Sequence, residues 1–138
     1  MSCHYHIVFD GGSRGNGSKI AEAYGSYLIQ ETRDGRERII RLQFPTGSTN
    51  NEAEYQSLIA SLEDLTEVIK AAGKDPANYS VQIQGDSRVV INQVTGEWQV
   101  KAPNLVPLYQ QAQELLSGFG SVTVAWQPRE KSVEILGH

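Results

Sequence analysis

The apolar pattern of this chain first changes period between residues 44 and 58, and that change decides the kind of fold available to it. Tyr5–Asp10 alternates as a strand does and runs into Gly11-Gly12. Gly11 to Gly17 reads as a Gly/Ser/Asn-rich turn, and Ala23–Ile29 as a second strand. Asp34-Gly35 is a strong hairpin signal, after which Arg38–Phe44 alternates again. Two hairpins in series imply an antiparallel three-stranded unit. The period then becomes helical. Leu58, Leu62, Leu65 and Ile69, with Ile59 and Val68 beside them, form one apolar face. Thr49 and Glu52 have the spacing of a capping box, so the helix starts near Asn50, and it ends near Gly73.

Beyond that helix the elements alternate. Ser80–Gln84 is a fourth strand and Ser87–Val94 a short helix stopped by Gly96. Leu105, Leu108, Ala112 and Leu115 mark another helix, closed by Gly118 and Gly120. Val122–Trp126 is a fifth strand, broken by Pro128, and Trp126 alternates with its core positions. The order βββαβααβ describes an α/β protein, a mixed five-stranded sheet with helices on its faces. Residues 1–138 read as a single domain, long enough for a real core.

Charge and cysteine content narrow the function classes. The net charge is −4 and no Lys/Arg run occurs, so any binding to nucleic acid should be modest, with a shallow salt slope. The single cysteine, Cys3, has no internal disulfide partner, which suits a reducing cytoplasm. No apolar run approaches a membrane span and no signal-peptide pattern opens the chain; the expectation is a cytoplasmic protein with no membrane association.

Three acids stand in settings that suggest chemistry. Asp10 ends the first strand, and Asp86 ends what should be its parallel neighbour. Glu54 lies in the first turns of the long helix. Each also has an ordinary reading: Asp10 as a turn residue, Asp86 as a helix N-cap, Glu54 as an acid favoured by the helix dipole. Together they would converge at one end of the sheet. Phosphodiester hydrolysis needs an activated water, a stabilised leaving oxygen and a template, which two hard divalent cations about 3.5–4 Å apart supply. Such cations take carboxylate oxygens. Glu52 belongs to the capping box instead.

Four motifs in register carry a resemblance. Asp10-Gly11-Gly12-Ser13 is followed by Gly15-Asn16-Gly17, then Thr49-Asn50-Asn51-x-Ala53-Glu54, then Gly85-Asp86-Ser87, then Trp126-x-Pro128-Arg129-Glu130. This series resembles ribonuclease H, type 1, and most of all its short bacterial and archaeal members. Only Gln99-Val100-Lys101 follows Trp98, where longer members carry a basic protrusion. The resemblance implies the ribonuclease H-like fold and hydrolysis of the RNA strand of RNA/DNA hybrids, with 3′-hydroxyl and 5′-phosphate ends. It implies two Mg²⁺ or Mn²⁺ ions, a monomer, and Asp10 shared by both metals, with Glu54 and Asp86 on one and a fourth acid on the other.

The fourth acid is where the chain departs from the family. The family pattern runs Lys-Asn-x-x-Ala-Asp-x-Leu, whereas this chain has Lys131-Ser132-Val133-Glu134-Ile135-Leu136. An ungapped register places Leu136 at the acid position. A two-residue deletion places Glu134 there, and Glu134 is the expected fourth ligand. A full C-terminal helix is not expected. Many family members use a histidine on the loop before that acid. None occurs there in this chain, but Arg129 stands in that loop and could take a related electrostatic role, and His138 could also reach the site.

For substrate, the resemblance implies backbone groups of Gly11, Gly12 and Ser13 facing the RNA strand. Asn16, Thr49, Asn50 and Asn51 would contact the shallow minor groove. Thr49 doubles as a helix cap. Trp98 and Lys101 would grip the DNA strand, although Trp98 could instead close the core; Trp126 is read as core packing. His4 and His6 read as structural. Two other functions remain open: a hybrid-binding module whose altered fourth acid impairs catalysis, and a related nuclease acting on double-stranded RNA or a DNA junction.

Overall fold

The computed structural model describes residues 3–14 and 22–137. Asn16, with the Gly15-Asn16-Gly17 motif, and His138 lie outside the described residues. The strands are β1 (Tyr5–Arg14), β2 (Glu22–Glu31), β3 (Glu37–Phe44), β4 (Ser80–Gly85) and β5 (Ser121–Trp126). The helices are α1 (Asn50–Ala71), α2 (Arg88–Val94), α3 (Val106–Ser117) and α4 (Arg129–Leu136), with a 3₁₀ turn at Pro76–Asn78. The strands form one five-stranded sheet in the order β3-β2-β1-β4-β5. The pairings β1–β2 and β2–β3 are antiparallel, whereas β1–β4 and β4–β5 are parallel. The two expected hairpins and the parallel neighbour of β1 are therefore present.

The sheet has two unlike faces. On one, Ile7, Phe9, Tyr27, Ile29, Val81 and Ile83 pack against Tyr55, Leu58, Leu62 and Leu65 of α1, and the cluster extends to Ala112 and Leu116 of α3. This is the apolar stripe read from the sequence. Its edge is fixed where Tyr27 and Arg38, from neighbouring strands, both bond the Asp64 carboxylate of α1. On the opposite face a small cluster joins Val8, Leu28 and Leu136.

Local signals fix the element ends. The Thr49–Glu52 capping box forms: the Glu52 N–H donates to Thr49 Oγ1 (3.1 Å), and the Thr49 N–H donates to Glu52 Oε1 (2.8 Å). Ser87, not Asp86, caps α2, accepting the Val90 N–H at 3.2 Å. His4 bonds Ser80 and His6 bonds Gln84, joining β1 to β4.

Two segments differ from expectation. β1 does not turn at Gly11 but continues to Arg14, pairing Gly11 with Gly25 and Ser13 with Ala23. β2 offers it a partner over that whole length, so the glycines are laddered rather than looped. Residues 129–136 form a two-turn helix where only a terminal turn was expected. Pro128 starts it in an extended conformation, and Gly137 ends it at φ +79°. Arg41 Nη2 donates to the Leu136 carbonyl (2.8 Å), and the Leu136 side chain is fully buried. Tertiary burial and one capping arginine supply what eight residues of propensity cannot.

Leu136 therefore belongs to the packing. Leu136→Ala should cost roughly 2–5 kcal/mol in urea denaturation. A loss below 1 kcal/mol would show that α4 is not docked on Val8 and Leu28.

Candidate metal centre at the end of β1 and β4

Parallel pairing brings two of the acids together. Phe9 of β1 lies opposite Gly85 of β4, so Asp10 and Asp86 leave the same end of the sheet side by side. Asp10 shares a sheet face with Val8 and is buried. Glu54 comes from the second turn of α1 and is also buried. Its approach depends on Gly11. A Cβ at residue 11 would sit 2.5 Å from the Ala53 carbonyl oxygen, so only glycine lets α1 lie this close to β1. The Gly11 N–H then donates to Glu54 Oε1 at 3.0 Å.

One oxygen from each of Asp10, Glu54 and Asp86 falls within 4.8 Å of the others, the one such group among the described residues. Burial pushes the Glu54 carboxyl well above its ordinary range, and the charges of Asp10 and Asp86 add to the effect. Burial and Asp10 raise the Asp86 carboxyl to about 6, against the opposing pull of Arg129 and Ser132. Glu54 Oε2 and Asp86 Oδ2 are buried and accept no hydrogen bond. A buried set of repelling carboxylate oxygens with unused acceptors is costly by itself and fits a hard divalent cation, which prefers all-oxygen coordination.

Glu134 is not brought to the other three. It lies on α4 with a side chain 73% exposed, its carboxylate 4.0 Å from Lys131 Nζ. The cause is helical phase. Ser132 and Leu136 are the buried positions of α4, and position 134 lies about 160–200° from both around the axis. Ser132 occupies the inward place. Its hydroxyl accepts from Gln127 Nε2 at 3.2 Å and faces Asp86, favouring that residue's charged form. Sequence reasoning passed over Ser132; its (i, i+4) spacing to Leu136 was the available signal.

The remaining expected residues divide into two places. Gly11, Gly12 and Ser13 continue the strand that carries Asp10, while Thr49, Asn50 and Asn51 open the helix that carries Glu54. The Ser13 N–H donates to Asn50 Oδ1 (2.6 Å), tying the two segments together. Arg129, at the start of α4, lies in the field of Asp10 and then Asp86, which favour its charged form, and it bonds Tyr24. Trp98 and Lys101 stand elsewhere, in the connection between α2 and α3. Trp98 is 50% exposed and lines a groove of about 520 Å³ with Val100, Val106 and Tyr109, so it does not close the core. Trp126 also departs from its core reading. It is 38% exposed, and its indole Nε1–H donates to the Asp86 carbonyl at 3.1 Å. The last residue of an edge strand has a neighbour on one side only, so the ring lies at the rim of the acid cluster.

The profile of a family described as reverse transcriptase-like matches residues 9–134. A solved structure of the N-terminal RNase H domain of Rv2228c from Mycobacterium tuberculosis superposes with a TM-score of 0.81 at 31% identity, covering 96% of this chain and 88% of that one. RNase H1 from the archaeon Halobacterium salinarum gives 0.79 at 32% identity, covering 96% and 92%. The chain belongs to the type 1 ribonuclease H family. Its fold and its bacterial and archaeal affinity are those the four motifs implied. LC11-RNase H1, solved in complex with an RNA/DNA hybrid, also shares this ribonuclease H fold (TM-score 0.79, 26% identity, covering 94% and 89%). The chain spans only 32% of the full bifunctional protein Rv2228c, to which it is 36% identical over 132 residues. No helix among the described residues is long and apolar enough to cross a membrane.

The raised carboxyls set a pH dependence. Folded Glu54 and Asp86 hold protons at pH values where the unfolded acids, titrating near 4, have lost them. Metal-free protein should therefore lose stability as pH rises from about 4 through about 6. Asp10→Asn should flatten that loss and stabilise the metal-free protein at pH 7 by on the order of 1 kcal/mol. Thermal denaturation in chelator at several pH values checks this, and a variant less stable than wild type at pH 7 would contradict it.

Proposed function

We propose that this chain is an endoribonuclease that hydrolyses the RNA strand of RNA/DNA hybrids, leaving 3′-hydroxyl and 5′-phosphate ends. The observation that carries this reading is the convergence of buried Asp10 and Glu54 with half-buried Asp86 at the end of β1 and β4, in a chain of the ribonuclease H family. The hybrid bound in LC11-RNase H1 supports the substrate class.

In this reading Asp10, Glu54 and Asp86 would hold two Mg²⁺ or Mn²⁺ ions. Asp10 would be common to the ligand set, as it neighbours both Glu54 and Asp86. Bound divalent ions supply Lewis-acid activation of the attacking water and charge stabilisation at the leaving oxygen. The chain itself provides orientation. The Gly11 N–H fixes Glu54, and Ser132 favours charged Asp86. Arg129 offers a cation to the scissile phosphate or the released 5′-phosphate.

The backbone of Gly11, Gly12 and Ser13 faces the RNA strand. Asn16, Thr49, Asn50 and Asn51 read the minor groove, where 2′-hydroxyls distinguish RNA from DNA. Trp98 and Lys101 hold the DNA strand through sugar and phosphate. Recognition of shape and sugar gives low sequence specificity. The enzyme acts as a cytoplasmic monomer.

Glu134 could serve as a fourth ligand only by abandoning its outward position, so the catalytic set is the three clustered acids. That same position favours a second reading, a hybrid-binding module with impaired catalysis.

An end-labelled hybrid, with Mg²⁺ and Mn²⁺ titrated separately, tests both. Metal-dependent cutting confined to the RNA strand is expected, reduced at least about a hundredfold by Asp10→Asn and changed less than about twofold by Glu134→Gln. Binding without cutting would select the second reading. Equal cleavage of hybrid and duplex DNA would reject the substrate assignment, and a double-stranded RNA arm shows how far the sugar preference extends.

A further inference from the structure

The acid cluster has a support in Trp126, a residue of the fourth motif that the sequence reads only as core packing. β4 ends at Gly85, and the two carbonyls at that end are held by the last residue of β5 and the residue that follows it. The Gln127 N–H donates to the Gly85 carbonyl (2.9 Å), and the Trp126 indole Nε1–H donates to the Asp86 carbonyl (3.1 Å). The first bond extends the parallel ladder by one residue. The second is a side chain reaching across to hold the residue just beyond the strand, where no ladder partner remains.

The indole is itself held. Arg88, the first residue of α2, places its guanidinium carbon 4.0 Å from the Trp126 ring centroid. Among the described residues Arg88 forms no ion pair, and its exposed guanidinium stacks on the Trp126 ring. Ser132, anchored by the Gln127 side chain, approaches Asp86 from α4. Asp86 is thus fixed at its backbone by β5 and faced at its carboxylate by α4.

We infer that Trp126 is a positioning residue for Asp86, acting through its indole N–H, and that Arg88 holds the ring in place. The inference rests on the proposed metal-binding role of Asp86 and adds the device that aims it. Asp86 lies after the last ladder position of β4 and before the first turn of α2, a junction whose backbone could otherwise pivot. Fixing its carbonyl sets the direction in which the carboxylate leaves the chain. A tryptophan present only for packing would need no donor at this point and would not sit 38% exposed at the rim.

Isothermal titration of purified metal-free protein with MnCl₂ is the test, using wild type, Trp126→Phe and Arg88→Ala, with thermal denaturation run beside it. Phenylalanine keeps an aromatic ring and removes the N–H. Trp126→Phe should weaken Mn²⁺ binding roughly three- to tenfold while changing the melting temperature little. Arg88→Ala should weaken it in the same direction but less. In hybrid cleavage, the Mg²⁺ concentration at half-maximal rate should rise by a similar factor, with KM for hybrid unchanged. Unchanged Mn²⁺ affinity in both variants, or a fall in melting temperature without a change in affinity, would overturn the inference. Failure of wild type to bind Mn²⁺ would overturn it together with the metal-site reading, whereas tight wild-type binding with indifferent variants would overturn it alone.

Discussion

The close approach of α1 to β1 at Gly11 is the constraint on which the site depends. A side chain at residue 11 would meet the Ala53 carbonyl, so its absence sets the spacing between sheet and helix. That spacing lets a buried Glu54 accept the Gly11 N–H beside Asp10. The register Phe9–Gly85 then adds Asp86. Backbone geometry alone therefore collects three carboxylates from two strand ends and a helix. Their mutual repulsion in a buried setting is a cost that the rest of the core must carry, and one that a divalent cation reverses.

The two faces of the sheet divide the labour. The α1 face holds nearly all the large apolar side chains and is rigid by packing. The α4 face is thin, with Val8, Leu28 and Leu136 as its apolar contact. It nevertheless supplies Ser132 and Arg129 to the surroundings of Asp86. A short helix held by one buried leucine and one capping arginine thus closes the side of the site that its own sequence only weakly encodes.

Much of this was legible in the sequence because the signals were local. Alternation in Arg38–Phe44, the Asp34-Gly35 turn, the Thr49–Glu52 box and the stripe Leu58-Leu62-Leu65-Ile69 each act within a few residues. The three clustered acids could be read because each sits at a boundary between elements. What escaped was tertiary in origin. β1 extends past Gly11 because β2 supplies a partner, which no property of a glycine pair announces. Trp126 looked like core because alternation marks two faces without saying which edge strand leaves one uncovered. Glu134 was matched by its resemblance to a motif, whereas its direction is set by the phase of α4, which Ser132 and Leu136 determine. A motif aligned by residue type gives a position along the chain but not an angle around a helix.

The central claim is that Asp10, Glu54 and Asp86 form a divalent-cation site without help from Glu134. Anomalous diffraction from crystals of this chain grown with MnCl₂ and a non-cleavable hybrid tests it most directly. The account predicts manganese peaks bounded by Asp10, Glu54 and Asp86, with Glu134 still turned to solvent. A peak ligated by Glu134, or no peak among the three clustered acids, would contradict it.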